Sequence, residues 1–314
     1  MFIRLLGNNI FAGTLSNGLF LSTNNGTNWT QTALNNHQVM SLAVSGNNIF
    51  AGTNIGVYLS TNNGNNWTQI GLTNQNISSL AVNGNNIFAG TSGWGVFLST
   101  NNGNNWTQTA LNNKTVNSLA VSGNNIFAGT YGSGVFLSTN NGTNWTQTAL
   151  NYKDVNSLAV SGNIIFAGTY QFGLYLSTNN GASWTQTDLY NQTVYSLAVN
   201  GNNTFAGTNM GVFLSLNNGT SWTQTGLNTQ SAYSLAVSGN NIFAGVYQFG
   251  VYLSTNYGTN WAQTALNDKT VYSLAVNGNN IFAGVHQFGV HLSTNNGANW
   301  TQTDLYDQTV YSLA

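Results

Sequence analysis

The chain has no cysteine, no proline and no glutamate. It has a single arginine, Arg4, and only 3% charged residues over 314 positions. Each absence removes a class of function. Without cysteine there are no disulfides and no thiolate metal sites. Four Lys and Arg against five Asp give a formal net charge of −1. That is too few cations to displace counterions from a nucleic acid or to build a polybasic membrane patch. No apolar run approaches the ~18–20 residues of a membrane-spanning helix. Nucleic acid and membrane insertion are therefore not expected. The opening "MFIRLLGNNIFAGT" passes straight into the rest of the pattern and does not read as a signal peptide. Low charge can mean disorder, but 41% of this chain is hydrophobic and 12% aromatic, which suits a folded β protein.

What the chain does have is repetition. The stretch "LSTNNGTNWTQTAL" (Leu21 to Leu34) recurs eight times with small edits. Its tryptophans are Trp29, Trp67, Trp106, Trp145, Trp184, Trp222, Trp261 and Trp300, spaced by 38 or 39 residues. One unit reads "SLAVSGNNIFAGTYGSGVFLSTNNGTNWTQTALNNK". It divides into four short strands, "SLAV", "NIFAGT", "GVFLST" and "WTQTAL", each bounded by Gly, Asn or Ser. The lack of proline leaves every backbone N–H free for a ladder. The third strand carries consecutive apolar residues (Val135, Phe136, Leu137), which implies cover on both faces. The first carries small ones, such as Ser118 and Ala120, which suit crowding of strands about an axis.

Four-stranded sheets repeated at roughly 40 residues indicate an all-β β-propeller. An open solenoid is the runner-up, but it needs polar caps and none is visible. The expectation is one domain over 1–314, with eight antiparallel blades; seven blades and an overhang is the alternative. The closing blade takes its inner strand either from the C-terminal "SLA" or from "FIRLL" at Phe2–Leu6.

Within the repeated stretch, Ser22-x-Asn24-x-Gly26-x-x-Trp29 resembles the Asp-box, or BNR, repeat of sialidase-like, sortilin-like and photosystem-assembly propellers. The resemblance runs over nearly the whole chain. It implies that the box is the turn between the third and fourth strands, and that its residues are structural. The acidic position is Asn in all eight copies, from Asn24 to Asn295. Asn can still accept backbone N–H bonds through its side-chain oxygen, but it lacks the carboxylate a hard cation prefers. No metal and no cofactor is expected.

The departures from the repeat fall elsewhere. In a propeller the 2–3 and 4–1 connections emerge on one face, and here they are the variable ones. The 2–3 loops contribute Trp94, Tyr131, Tyr170, Phe172, Tyr247, Phe249, His286 and Phe288. The 4–1 links add Tyr152, Tyr190, Tyr306 and His37, and they hold or adjoin every charged residue except Arg4. The residue before each "SLA" also changes, through Met40, Ser78, Asn117, Asn156, Tyr195, Tyr233, Tyr272 and Tyr311. Such loops can drift freely, but exposed aromatics in so uncharged a chain favour a binding face.

Catalysis has little to draw on. Sialidases need an arginine cluster, and this chain has one arginine. A glycosidase pair would have to come from five Asp. His37, His286 and His291 have no metal-ligand spacing, and His291 reads as a substitute for Tyr in the third strand. The expected role is therefore a non-enzymatic binding or scaffold propeller with a protein partner. A multivalent carbohydrate-binding propeller is the alternative and a glycosidase-like enzyme the remote one. An extracellular or cell-surface location is suspected.

Overall fold

The computed structural model describes residues 9–313, and all the regular structure there is β-strand. The strands form eight four-stranded antiparallel sheets, the blades of a β-propeller. We number them 1 to 8 along the chain. Blade 4 shows the plan: inner strand Val116–Ser122, then Asn125–Thr130, Gly134–Ser138 and outer strand Thr146–Gln147. Blade 1 takes Ile10–Thr14, Leu19–Ser22 and Thr30–Gln31 from the N-terminal side, and its inner strand is Val310–Leu313. Ala12 lies opposite Leu313 and Gly13 opposite Ser312. The competing strand Phe2–Leu6 lies outside the described residues. The chain makes two compact units, one of residues 9–38 and 195–313, the other Val39–Val194.

The strand covered on both faces is the second, not the third. In "IFAGT" of blade 4 every residue is buried, whereas Phe136 and Leu137 of the third strand are half-buried. The second strand sits mid-sheet, and its small residues let neighbouring blades close over it. The third is next to a two-residue outer strand, too short to shield it fully.

Each box turn is a hydrogen-bonded staple. In blade 1 the Ser22 hydroxyl donates to Asn24 Oδ1 (2.9 Å) and accepts from the Gly26 N–H (2.8 Å). Asn24 Oδ1 also accepts from Asn28 N–H (2.9 Å). The Trp29 indole N–H donates to the Gly26 carbonyl (3.1 Å). The bonds that shape this turn use only the side-chain oxygen at position 24, so Asn serves where a carboxylate would. Asn25 and Gly26 are both left-handed (φ 55 and 80°), a conformation Asn and Gly tolerate best.

The staple also joins blades. Trp29 packs against Phe282, Leu292 and Leu305 of blade 8. Trp184 of blade 5 packs with Phe127 of blade 4, and Trp145 of blade 4 with Phe88 of blade 3. The box glycine permits the approach. A Cβ on Gly142 would fall 2.5 Å from the Phe88 ring, and one on Gly26 2.3 Å from Phe282. The glycine of "FAG" does the same for the next blade. A Cβ on Gly129 would fall 2.6 Å from Val155, and one on Gly245 2.7 Å from Val271.

His291 is buried in the third strand of blade 8, where blade 7 has Tyr252, and its Nδ1 has no partner. Burial, and then the nearby Lys269 charge, push its pKa down from 6.5 to about 4.

Two stability predictions follow from this packing. Gly142→Ala, which combines φ +83° with the Phe88 contact, is expected to cost about 2–4 kcal/mol. Gly123→Ala, at φ +59° with open space around it, is expected to cost only about 1 kcal/mol; denaturant titration of both variants checks the difference. For His291, the folded pKa lies below the unfolded one, so the unfolded state binds the proton first as pH falls. Stability from this site is present above pH 6.5 and is lost between 6.5 and about 4, by at most about 3 kcal/mol. His291→Tyr should flatten that part of the stability–pH curve; an unchanged curve would refute the assignment.

Candidate functional site

In blades 3, 4, 5, 7 and 8 backbone bonds join the 2–3 loop to both the link that enters the blade and the link that leaves it. In blade 7 the Tyr247 N–H donates to the Ser231 carbonyl (2.9 Å) of the incoming link, and Gly250 N–H to the Lys269 carbonyl (2.7 Å) of the outgoing one. In blade 8, His286 N–H donates to Thr270 (2.9 Å) and Gly289 N–H to Gln308 (2.8 Å). A third tie comes from the outer strand. Gln263 Nε2 donates to the Phe249 carbonyl (2.8 Å) and Gln302 Nε2 to the Phe288 carbonyl (3.0 Å). The equivalent glutamine does this in all eight blades. The face is thus sequence-variable but held from three sides. Sequence reasoning gave this glutamine no role; its presence in every "TQ" or "AQ" was the signal.

Three loops carry strain. Gln171, Gln248 and Gln287 are left-handed, with φ 63, 62 and 62°, where blades 3 and 4 place Gly93 and Gly132. Their N–H groups donate to the hydroxyls of Thr193, Thr270 and Thr309 at 3.0–3.1 Å. A bulky residue in this region costs about 1 kcal/mol or more. Strain of this kind gathers where a side chain has to be presented.

The inner strands supply the densest feature. In blades 7, 8 and 1 the ladder slips by one residue just before the Ser: between Ala232 and Ser234, Val271 and Ser273, and at Tyr311. Such a bulge re-aims the extra side chain. At this position blades 6, 7, 8 and 1 carry Tyr195, Tyr233, Tyr272 and Tyr311. They form one arc. Tyr195 meets Tyr233 edge-on (centroids 4.9 Å), while Tyr233 and Tyr272 are stacked at 5.7 Å and Tyr272 and Tyr311 at 4.8 Å. Two loop residues stand against them: Tyr247 beside Tyr233 and His286 edge-on to Tyr272, each at 5.7 Å. Burial raises the Tyr233 and Tyr272 phenol pKa values, and the neighbouring tyrosines add to both. The phenols are therefore neutral hydrogen-bonding groups. Blades 2 to 5 have Met40, Ser78, Asn117 and Asn156 at the same position. Ser78 donates to the Gly90 carbonyl (3.0 Å) and Asn117 to that of Val155 (3.1 Å).

The other aromatics expected at the site separate into two groups. Trp94, Tyr131, Tyr152, Tyr190 and Tyr306 are highly exposed, up to 81% for Tyr152. Tyr152 is left-handed (φ 53°) where other links have Asn or Asp. Tyr170, Phe172, Phe249 and Phe288 are less exposed. Phe172 lies under the Lys153 ammonium (3.6 Å) and Phe288 under that of Lys269 (3.5 Å), so two of the three lysines are taken up by cation–π contacts. Asp154 and Asp304 are tied to backbone. Asp154 accepts from Gly132 N–H (2.6 Å), and Asp304 from Trp29 N–H (2.9 Å), joining blade 8 to blade 1. Among the described residues no three His, Cys, Asp or Glu side chains group as a metal site would require.

A family model described as the DUF6242 β-propeller domain matches residues 49–161. The curated proteins hold no match to the sequence. Among solved structures, the chain is similar to the computationally designed Ika8 protein, at 12% identity and TM-score 0.71, over 86% of this chain and 89% of that one. It is similar to YCF48 from Cyanidioschyzon merolae at 14% and 0.61, over 82% and 95%. YCF48 is also seen bound to a D1 peptide (16%, 0.57, over 80% and 94%). An ancestral GH74 enzyme matches at 21% and 0.64, over 95% of this chain and 53% of its own, so this chain spans about half of that enzyme. Identities this low speak to fold alone. By that fold, and by a family match over about a third of its length, the chain is a β-propeller.

Proposed function

We propose that this chain is a non-enzymatic binding propeller that engages a protein partner through its variable loop face. The tyrosine arc of Tyr195, Tyr233, Tyr272 and Tyr311 carries the proposal. It is aromatic and uncharged, and it is set on inner strands rather than on free loops. Tyr, Ser, Gly and Asn also dominate antibody paratopes, where Tyr supplies rigid amphipathic contact at low entropic cost. Loops already held by backbone and glutamine bonds lose little freedom on binding. YCF48, alike in fold, is seen with a peptide. The absence of Glu and the use of Asp304 as an inter-blade tie weigh against the glycosidase reading. We further propose that the Ser-x-Asn-x-Gly-x-x-Trp turn is an Asp-box with Asn in the acidic place. We also propose that the eight blades act as one domain, closed by pairing of the N- and C-terminal segments.

The test compares the wild type with a Tyr233→Ser/Tyr272→Ser variant, which copies the Ser78 of blade 3 and so should keep the fold. Circular dichroism checks folding while protein capture and a glycan array run in parallel. The expected outcome is capture of a defined protein, lost in the variant. Undiminished capture by the folded variant would contradict the assignment of the site, and glycan binding without protein capture would replace the partner class.

A further inference from the structure

We propose that Asn83, Asn200 and Asn277 are sites of covalent modification by deamidation, and that the serine of each box turn protects the same Asn-Gly dipeptide there. The proposal is independent of the binding reading, since it concerns the 1–2 and 3–4 turns rather than the variable loops. The chain holds eleven Asn-Gly pairs. In such a pair the glycine nitrogen, on losing its proton, attacks the asparagine side-chain carbon. Ammonia leaves as a succinimide ring closes, and water then opens the ring to aspartate or isoaspartate. The net change turns one amide and one water into one carboxylate and one ammonium ion. Glycine favours the attack because it has no Cβ and its backbone turns readily. No other reactant is needed, so what holds the glycine N–H decides which pairs react.

Seven of the pairs lie in box turns, Tyr257 standing in place of Asn in the eighth box. In all seven the glycine is buried, and its N–H donates to the box serine hydroxyl at 2.8 Å. A hydrogen bond donated by the neutral group and burial both oppose loss of its proton. Asn17-Gly18, in the 2–3 loop of blade 1, also has a buried glycine, and its amide donates to Gln308 Oε1 (2.8 Å).

The other three pairs lie in the 1–2 turns of blades 3, 6 and 8. Gly84, Gly201 and Gly278 are exposed and left-handed (φ 62, 61 and 59°), with open space where a Cβ would stand. Among the described residues their N–H groups have no hydrogen-bond acceptor. The asparagine side chains do have work to lose. Asn83 Nδ2 donates to the Gly123 carbonyl (2.7 Å) and to Asn141 Oδ1 (3.0 Å) of blade 4, and Asn200 Nδ2 to the Gly239 carbonyl (3.0 Å) of blade 7. Those bonds hold the amide nitrogen, which departs, and not the glycine N–H, which attacks. A carboxylate has no proton to donate. Each event therefore removes a tie between blades and adds a negative charge to a chain whose formal net charge is −1. Blades 2 and 4 make the same tie with a hydroxyl, Ser45 to Gly84 (3.1 Å) and Ser122 to Gly162 (3.0 Å), which has no such chemistry.

The experiment incubates the full chain at mildly alkaline pH and follows every pair by peptide mass spectrometry, with enzymatic methylation of isoaspartate as a second readout. Asn83, Asn200 and Asn277 are expected to gain one mass unit well before any box asparagine. In strong denaturant all the pairs should react at comparable rates. Ser138→Ala is expected to speed deamidation of Asn141 about tenfold, the rate equivalent of one lost hydrogen bond. Asn102 and Asn180 should stay slow in the same sample and so report that the neighbouring blades remain folded. Box pairs that react as fast as the 1–2 turn pairs in the folded chain would overturn the proposal. The same order of reaction in denaturant would also overturn it, by placing the cause in the sequence rather than the fold. An unchanged Asn141 rate in Ser138→Ala would overturn the protective role of the serine.

Discussion

Close approach of neighbouring blades at glycine is the constraint on which the rest of the structure depends. Most seams within a unit use the same fit. The Phe of one blade reaches the box turn of the next, where a glycine leaves room for it, and the inner-strand Val or Ile of the later blade nests over the "FAG" glycine of the earlier one. A methyl group would meet its neighbour at 2.5 Å at Gly142 and 2.6 Å at Gly129, while the box glycines Gly258 and Gly297 leave 3.3 and 3.0 Å. Packed interiors do not absorb such overlaps without strain. The Trp then closes over the seam. With almost no charge in the chain, apolar fit and turn hydrogen bonds supply nearly all the specificity between blades.

That economy explains where variation is allowed. The box and the 1–2 turns sit in the seams or next to them, so they repeat with little change. The 2–3 loops and the 4–1 links are anchored by main-chain bonds and by the outer-strand glutamine, none of which depends on the loop side chains. Their side chains can change while their backbones stay in place. Blades 5, 7 and 8 use this freedom for Tyr-Gln-Phe or His-Gln-Phe corners, with Gln in a conformation that glycine would adopt more easily. Blades 6, 7, 8 and 1 use it for the tyrosine arc.

Much of this was legible in the sequence. The eight-fold beat, four strands per repeat and the turn chemistry of the box all followed from local patterns, because turns and strand periodicity are local physics. The variable position before each "SLA" was also visible. Its significance was not, because a bulge is a matter of register between strands, and stacking among Tyr195, Tyr233, Tyr272 and Tyr311 joins residues about 39 apart. The third strand was expected to be the one covered on both faces, and the second proved to be. Consecutive apolar residues show that a strand is covered, but strand order and the length of its neighbours decide how completely. Asp304 is one of the five Asp from which a glycosidase pair would have to come, and it is an inter-blade tie. Its partner, the Trp29 N–H, lies 275 residues away in the chain, beyond the reach of any local pattern.

The central claim is that the loop face is a held platform rather than a set of mobile loops. Native-state amide hydrogen exchange tests it most directly, because it reads local opening residue by residue. The account predicts that the amides of Tyr247, Gln248, Gly250, His286 and Gly289 exchange nearly as slowly as those of the second strands Asn241–Val246 and Asn280–Val285. Exchange of these loop amides at the rate of an unstructured peptide, with the strands still protected, would contradict it.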